Sequence, residues 1–462
     1  MPSLADAILQ EDIESVQQLI HYGEEINQID EYGFTPLIEA AIVNNIELSK
    51  LLLNYHADPN QQDAVGGTAL HWAAENNNIE LCKLLLNHHA NPNSYNFSAQ
   101  SVLVMPMLRG QRALKKILIQ AGSDELFAKD FINTKLLGHL FELIGTANIV
   151  DKKNQFAEID FEGFYLEVTL GLIADSLAQF QNHFAARQLR RYSGLAQFIV
   201  EVIRNASRLI KYQQYQIDIN QHQSQIDSLL QQEPLLIPVG YEGHAITFIR
   251  YGDIWVKCDR REESRLYDNI MFYRATNTKQ LTIDLFKRII YTKQTNQFIN
   301  DELDELLGLV SLTELKIESQ ISGNCSWANV EAAIPVLFFL LLTQMNKNEQ
   351  AMAYYKTLAL NFFRRWREWN KDRTLNFCIQ SYKEGDTIRK ACKAEILAAI
   401  LFQRCDFRNL SDRNRIETIL SVLIKSPYEY LLKNYLRVYF YENRTEDGKR
   451  FADMLREYEY LK

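Results

Sequence analysis

Four residues in the second half of the chain have the types and the order that thiol chemistry requires. They are His244, Asp259, Gln320 and Cys325. A cysteine attacks a carbonyl carbon as its thiolate, so it needs an imidazole to accept its proton and a carboxylate to hold that imidazole in one tautomer. A glutamine amide can donate a hydrogen bond to the oxyanion that the attack creates. These residues therefore predict a catalytic site that cleaves or transfers an acyl group.

The histidine and the aspartate frame a predicted β-hairpin. Two extended segments on either side of Gly252-Asp253 read as strands, and a glycine at the first position suits a two-residue turn. If Tyr251 faces Ile254, alternation of the side chains places His244 and Asp259 on one face as diagonal neighbours. The hairpin would thus supply both the base and its orienting group.

The cysteine begins a predicted helix. Cys325 precedes a long apolar stretch, and the first turn of a helix offers unpaired N–H groups and the positive end of the helix dipole. Both features lower the pKa of a thiol, and the same N–H groups can hold an oxyanion. Gln320, five residues earlier, would donate a second hydrogen bond from the preceding loop.

Each of these residues also has a plainer interpretation. A cysteine at the start of an apolar helix is often a small core residue, and Trp327 is expected in the core or at a pocket wall. Asp259 could pair with Arg260 or Arg261 instead of a histidine. The alternative is a non-catalytic interaction protein that keeps the fold of a hydrolase without its chemistry.

A second pattern, with a period of 33 residues, occupies the N-terminal part of the chain. Thr35-Pro36-Leu37 recurs as Thr68-Ala69-Leu70 and Ser101-Val102-Leu103, and the leucine run at 51–53 recurs at 84–86 and as Ile-Leu-Ile at 117–119. This period, with helix-capping threonines and Ala-Asp-Pro-Asn endings, resembles the ankyrin repeat. We expect about four repeats within residues 1–130, because stacked units bury a core that none can bury alone.

The resemblance implies docking of a partner protein through the exposed hairpin tips. The candidate contact residues are Asp30, Glu31, Tyr32, Asp63, Tyr95, Asn96 and Phe97, although some of them could only shape the turns. Asn60 resembles the ankyrin asparagine that host hydroxylases modify. Residues 1–129 carry 16 acidic and 7 basic residues, a net charge of −9, whereas the remainder carries +1. An acidic face favours a basic protein partner and disfavours direct nucleic-acid binding by the repeats. The alternative is that the acidic residues only keep the repeats soluble.

The order His244, Asp259, Gln320, Cys325 resembles the papain-like cysteine peptidases in their permuted arrangement. In that superfamily the cysteine helix packs on a sheet that carries the histidine, and the resemblance covers roughly residues 235–345. Asn324-Cys325-Ser326 stands where Asp-Cys-Gly is usual, which leaves peptide cleavage and other acyl transfers open. The whole layout resembles ankyrin-repeat effectors that Legionella delivers by type IV secretion, which implies virulence, host-pathogen interaction and action in the host cytoplasm or nucleus.

The sequence thus predicts a mainly α protein: an N-terminal ankyrin solenoid followed by an α+β papain-like domain embedded in helical segments. The expected divisions are 1–130, a helical segment at 131–232, a protease-like core at 233–345 and a helical region at 346–462. Aromatic residues at 362, 363, 366 and 369 are expected to form a core face. The six scattered cysteines suggest neither disulfides nor a metal site, and we expect no cofactor and no membrane span.

Overall fold

The computed structural model describes residues 3–161, 163–213, 219–260, 270–318, 320, 323–345 and 349–461. The chain forms two compact units. The first comprises Met1–Thr134 and Thr146–Asp160, and the second comprises Lys135–Gly145 and Phe161–Lys462. The further division of the second unit at residues 232 and 345 remains a proposal.

Four antiparallel helix pairs build the first unit. They are α1 (Leu4–Leu9) with α2 (Ile13–His21), α3 (Pro36–Ile42) with α4 (Ile46–Asn54), α5 (Ala69–Glu75) with α6 (Ile79–Asn87), and α7 (Val104–Leu108) with α8 (Arg112–Gln120). Each pair corresponds to one predicted repeat, and the ankyrin prediction is confirmed. Helix α9 (Glu125–Leu140) follows, and the unit closes with β1 (Thr146–Val150) and β2 (Phe156–Asp160).

Threonine caps and a shared leucine core explain these helices. The Thr35 hydroxyl accepts a hydrogen bond from the Ile38 N–H at 3.2 Å, which satisfies a donor that the first turn of α3 would leave unpaired. Thr68 makes the reciprocal pair with the His71 ring at the start of α5. Leu52 and its counterpart one repeat later, Leu85, are fully buried, so neighbouring units share one core.

The expectation of helices throughout residues 131–232 is wrong at 146–160. These residues form an antiparallel hairpin in which Ala147 pairs with Ile159 and Ile149 pairs with Ala157. All four of these side chains are buried, while Phe156 and Glu158 are exposed. The apolar period here is two, which is typical of a strand and not of a helix.

The second unit surrounds a five-stranded antiparallel sheet with helices. The strands follow chain order across the sheet: β3 (Leu235–Tyr241), β4 (His244–Tyr251), β5 (Ile254–Cys258), β6 (Ile270–Ala275) and β7 (Leu309–Glu314). The helices before and within the sheet region are α10 (Leu166–Asn182), α11 (Ser193–Lys211), α12 (Gln223–Leu230), α13 (Ile283–Tyr291) and α14 (Leu303–Leu307). Those after it are α15 (Cys325–Glu331), α16 (Ala333–Met345), α17 (Met352–Glu384), α18 (Thr387–Arg404), α19 (Leu410–Leu423), α20 (Tyr430–Tyr435) and α21 (Glu446–Glu457).

The predicted hairpin has the predicted register. Tyr251 pairs with Ile254, and Gly252 at the turn has a φ of 62°, which glycine adopts without a steric penalty. The segment before it is a separate strand, however, because Glu242 and Gly243 both adopt positive φ and reverse the chain. His244 therefore follows a tight turn directly.

The apolar helices of the second unit form its core. On α17, Phe362, Phe363 and Trp366 are buried while Arg364 and Arg365 are exposed, as expected for a core face backed by a solvated one. One segment, Cys325–Met345, is long and apolar enough to cross a membrane, but 94% of its apolar window is buried inside the protein. Burial of this kind is typical of a core helix.

Candidate active site

The imidazole of His244 lies beside the carboxylate of Asp259. His244 is the first residue of β4 and Asp259 directly follows β5, so the antiparallel register brings their side chains together. The distance between His244 Nε2 and Asp259 Oδ1 is 3.1 Å, and the two side chains are 15% and 19% exposed. The other ring nitrogen, Nδ1, is then the one that can accept a thiol proton.

The thiol of Cys325 lies at the start of α15 and interacts with His244. Burial alone would raise the pKa of the Cys325 thiol, but hydrogen bonds from the His244 ring and from the Ala245 and Ser326 N–H groups outweigh it. The pKa of this thiol therefore lies below its ordinary value. Cys325 is only partly buried, so a reagent from solvent can reach it.

Other cysteines show the opposite behaviour. Burial raises the pKa of the Cys82 and Cys405 thiols to about 12, and it also raises the pKa of Cys258. These three side chains are at most 2% exposed. Because only a thiolate is strongly nucleophilic, Cys325 differs from them in the property that decides reactivity.

Gln320 lies next to the aspartate end of the site. Its N–H donates to the carbonyl of Arg260, the residue after Asp259, at 3.0 Å, and its side chain is 9% exposed. Within the described part of the chain, no hydrogen bond joins Gln320 to Cys325, and Gln320 Oε1 has no partner. The oxyanion role of Gln320 therefore stays a prediction.

Arg260 does not pair with Asp259. Its guanidinium is fully buried and donates from Nη1 to Glu331 Oε1 at 2.8 Å and from Nε to the Glu318 carbonyl at 2.8 Å. The alternative in which Arg260 pairs with Asp259 is thus wrong, because the carboxylate that pairs with Arg260 is that of Glu331 on the cysteine helix. Arg261 lies outside the described residues.

Asn329 connects the cysteine helix to both arms of the hairpin. The sequence analysis did not single it out. Its Nδ2 donates to the carbonyl of Ala245 at 2.6 Å, and its Oδ1 accepts from the N–H of Arg260 at 2.8 Å. These two backbone groups directly follow His244 and Asp259. The available sequence signal was an amide one helical turn after Cys325, on the helix that begins with the candidate nucleophile. In the structure this amide is 1% exposed.

A second histidine, from far upstream in the chain, contacts the residue before the cysteine. His139 Nδ1 lies 2.5 Å from Asn324 Oδ1, and Asn324 Nδ2 donates to the His139 carbonyl at 3.1 Å. The His139 ring stacks on Trp327 at 5.5 Å, and Trp327 is 1% exposed, so it belongs to the core. The hydrogen bonds between His139 and Asn324 fix the position of Asn324, the residue that precedes Cys325. A separation of 185 residues hid the contact from sequence analysis.

The proposed partner contacts in the first unit have two different environments. Tyr32 and Phe97 are 69% and 73% exposed at hairpin tips. Glu31 is exposed as well, and Tyr95 is half-buried, with its ring 5.2 Å from the Phe127 ring.

The polar tip residues shape the turns. Asp30, Asp63 and Asn96 each accept hydrogen bonds from the N–H groups two and four residues further on. Asp63 is only 4% exposed and also accepts from Trp72 Nε1 at 3.0 Å. The Asp63 carboxylate is thus used within its own repeat, which favours the turn-shaping alternative, and its role as a partner contact stays a prediction.

Asn60 connects two repeats. Its Oδ1 accepts the Asn91 N–H at 2.7 Å, and its Nδ2 donates to the His89 carbonyl at 3.1 Å. Modification of Asn60 remains a prediction, and it would require this bridge to open first.

Comparison with known proteins places both units in one family. The ankyrin-repeat family matches residues 4–96 in three copies. A solved structure, "Structure of Legionella Effector AnkH", is 39% identical and superimposes with a TM-score of 0.86, covering 99% of this chain and 97% of that one. The chain belongs to the AnkH family. The likeness to AnkH extends beyond the matched repeats and through the unit that holds Cys325. No curated protein sequence matches the chain.

No metal centre accompanies the candidate site in the described residues. Histidine, cysteine and acidic side chains there nowhere gather in a group of three or more with the spacing that an ion would need.

Proposed function

We propose that this protein is a bacterial effector that acts inside a host cell, docks on a host protein through its ankyrin repeats and carries a thiol hydrolase or acyltransferase site at Cys325. The effector role is supported by membership of the AnkH family, whose solved member is a Legionella effector. The observation that carries the chemical part is the Cys325 thiol, with a lowered pKa, in contact with an imidazole that lies 3.1 Å from Asp259.

The proposed reaction begins with proton transfer. His244 takes the proton of Cys325, and the thiolate attacks the carbonyl carbon of an amide or a thioester. Asp259 stabilises the imidazolium that results. His244 then returns the proton to the leaving amine or thiol as the carbonyl re-forms, which gives a thioester on Cys325. Water or an amine attacks that thioester and releases the acyl group.

Backbone donors near the thiol support stabilisation of the oxyanion. The N–H groups in the first turn of α15 point toward its N-terminal end, where the attacked carbonyl would lie, and the Ser326 N–H already bonds the Cys325 thiol. Gln320 is the proposed side-chain donor. The antiparallel sheet with the cysteine helix packed on β4 supports the papain-like interpretation of this unit.

The ankyrin repeats supply the proposed docking surface. Exposed Tyr32 and Phe97 at the tips are the strongest contact candidates, because aromatic side chains combine large contact area with few rotatable bonds. The acidic charge of this part of the chain favours a basic partner.

Alkylation of the intact protein tests the chemical proposal. Iodoacetamide is applied from pH 5 to pH 9, and the labelled fraction of each cysteine is measured by mass spectrometry, with His244→Ala as the variant. We expect Cys325 to be labelled at least about tenfold faster at pH 7 than the buried cysteines, and more slowly in the variant, because the variant lacks the imidazole that stabilises the thiolate.

The five other cysteines serve as internal controls in the same sample. If Cys325 is labelled no faster than these five, and His244→Ala changes nothing, the catalytic proposal fails. The alternative of a non-catalytic interaction protein would then stand.

A further inference from the structure

An acidic pocket is lined by residues of the first and second ankyrin repeats. Its volume is about 390 Å³, within the range of small-ligand sites. Its described lining includes six acidic residues and no basic one. The acidic residues are Asp6, Glu24, Glu25, Asp30, Glu31 and Glu39. Acidity alone does not define a binding site, but one of these six carboxyls, Glu39, is also buried.

Glu39 is a buried carboxyl without a cation or a donor beside it in the described structure. It lies on α3, is 4% exposed and lines the pocket. Its polar neighbour is Asp30, another carboxyl, so the hydrogen bond between the two side chains requires a proton on Glu39. No other group donates to the buried Asp30 Oδ2 in the described structure. Burial, followed by the nearby Asp30 and Asp6, raises the pKa of Glu39 to about 8. A buried acid of this kind is costly unless a positive group joins it.

The third repeat contains a donor that the second repeat, which holds Asp30 and Glu39, lacks. At the corresponding positions 33 residues later, Trp72 replaces Glu39 and Asp63 replaces Asp30. There, Trp72 Nε1 donates to Asp63 Oδ2 at 3.0 Å. The same oxygen of Asp30 has no such donor. The second repeat therefore has two carboxyls at the place where the third repeat has a carboxylate and an indole N–H.

We propose that this pocket binds an arginine or lysine side chain of a basic protein segment, with Glu39 and Asp30 as the paired carboxylates that receive the cation. This inference rests on the proposed docking function of the repeats and names the chemistry of the partner. A guanidinium or ammonium group supplies the missing donors to both carboxyls. Exposed Tyr32 on the pocket rim, at 69% exposure, offers a ring face to the same cation.

Binding is coupled to proton release. In the free protein the proton on Glu39 reduces repulsion with Asp30. When the cation enters, Glu39 loses that proton to solvent and becomes a carboxylate. The other acidic groups that face Glu39 are Asp6 on α1, Glu24 and Glu25 after α2, and Glu31 in the hairpin. The affinity for a cation should therefore rise between pH 6 and pH 8.

The test uses the full chain and a fluorescein-labelled peptide of alternating glycine and arginine, with binding measured by fluorescence anisotropy. A peptide with citrulline in place of arginine keeps the shape and removes the charge. We expect Glu39→Gln to weaken binding of the arginine peptide about tenfold at pH 8, the size of a lost charge-assisted contact, and to remove the dependence on pH.

Glu80→Gln is the matched control, because Glu80 is an exposed glutamate of the third helix pair that lies outside the pocket lining. This variant should bind within about twofold of the parent chain, as expected for one exposed charge. The side-chain amide of Glu39→Gln can donate to Asp30 Oδ2, so this variant is expected to fold. Hydrogen–deuterium exchange of residues 3–54 checks that it does.

Two outcomes would overturn the inference. One is equal loss of affinity in Glu39→Gln and Glu80→Gln, which would mean general charge attraction. The other is equal binding of the citrulline peptide, which would mean that no cation is recognised. Neither outcome affects alkylation of Cys325, so the chemical proposal and this inference fail independently of each other.

Discussion

At the scale of single residues, the proposed reactivity of Cys325 depends on the Asp259 carboxylate, which acts through the imidazole of His244. Asp259 lies 3.1 Å from the far nitrogen of His244 and stabilises the imidazolium form of that ring. The imidazolium in turn stabilises the thiolate. The pKa of Cys325 is lowered by His244 and by the Ala245 and Ser326 N–H groups, so a change at Asp259 is expected to reach the thiol through His244.

Asp259→Asn is expected to raise the pKa of Cys325, because an amide does not stabilise the positive ring. The midpoint of the alkylation profile should move upward by about one pH unit, which is the low end of the effect of one nearby charge. Asp253→Asn is the matched control, since Asp253 is half exposed in the adjacent turn and pairs with Arg274 at 3.3 Å. An unchanged profile in Asp259→Asn would exclude Asp259 from the site.

At the scale of elements, the site depends on how the cysteine helix is fixed to the sheet. Asn329 bonds the backbone on both arms of the hairpin, and Glu331 on the same helix bonds the buried guanidinium of Arg260. His139 and Asn324 fix the start of that helix. Three separate contacts therefore determine where Cys325 lies relative to His244.

Asn329→Ala is expected to slow alkylation of Cys325 as well as to lower the stability of the second unit. It leaves the Ala245 carbonyl and the Arg260 N–H without partners, at a cost of about 1–3 kcal/mol each in the free energy of unfolding. Asn370→Ala is the control, because Asn370 is equally buried but lies on α17 and bonds Arg373. If both variants lose stability and only Asn329→Ala loses Cys325 reactivity, Asn329 is a positioning residue. If reactivity follows stability in both variants, Asn329 has a merely structural role.

At the scale of the whole molecule, the two units are expected to respond to pH in opposite directions. In the second unit, burial alone would raise the pKa of Glu142, but Arg367 and Arg260 outweigh burial and lower it. Its stabilising effect is present above the pKa of the unfolded chain and is lost as the pH falls. In the first unit Glu39 has a raised pKa, so its contribution is present at low pH and is lost as the pH rises through about 8.

Hydrogen–deuterium exchange of the intact chain at several pH values measures this difference. Residues 3–54 should exchange faster in the parent chain than in Glu39→Gln at pH 9, and equally fast at pH 5, because the variant keeps its donor to Asp30 at every pH. Comparing the two proteins at the same pH removes the intrinsic effect of pH on exchange. Equal exchange at pH 9 would mean that Glu39 is not the group that loosens the first two repeats.

Local pattern was sufficient to predict the repeats and the hairpin. The repeat of 33 residues and its capping threonines determine each ankyrin unit through contacts within the unit and with its neighbours, and the turn at Gly252 sets the register through adjacent residues. The sequence was also sufficient to select three candidate site residues, His244, Asp259 and Cys325. Few side-chain types can act as base, orienting acid and nucleophile, and their order in the chain resembles that of the papain-like superfamily. The β1–β2 hairpin was missed even though its period of two was readable.

What only the tertiary structure decided was the set of contacts between residues distant in the chain. His139 and Asn324 are 185 residues apart, and Arg260 and Glu331 are 71 apart, so no local period relates them. Glu39 looked like an ordinary helix glutamate until its burial against Asp30 was known. The energy of a buried polar group depends on which partners surround it, and those partners are assembled only when the whole chain has folded.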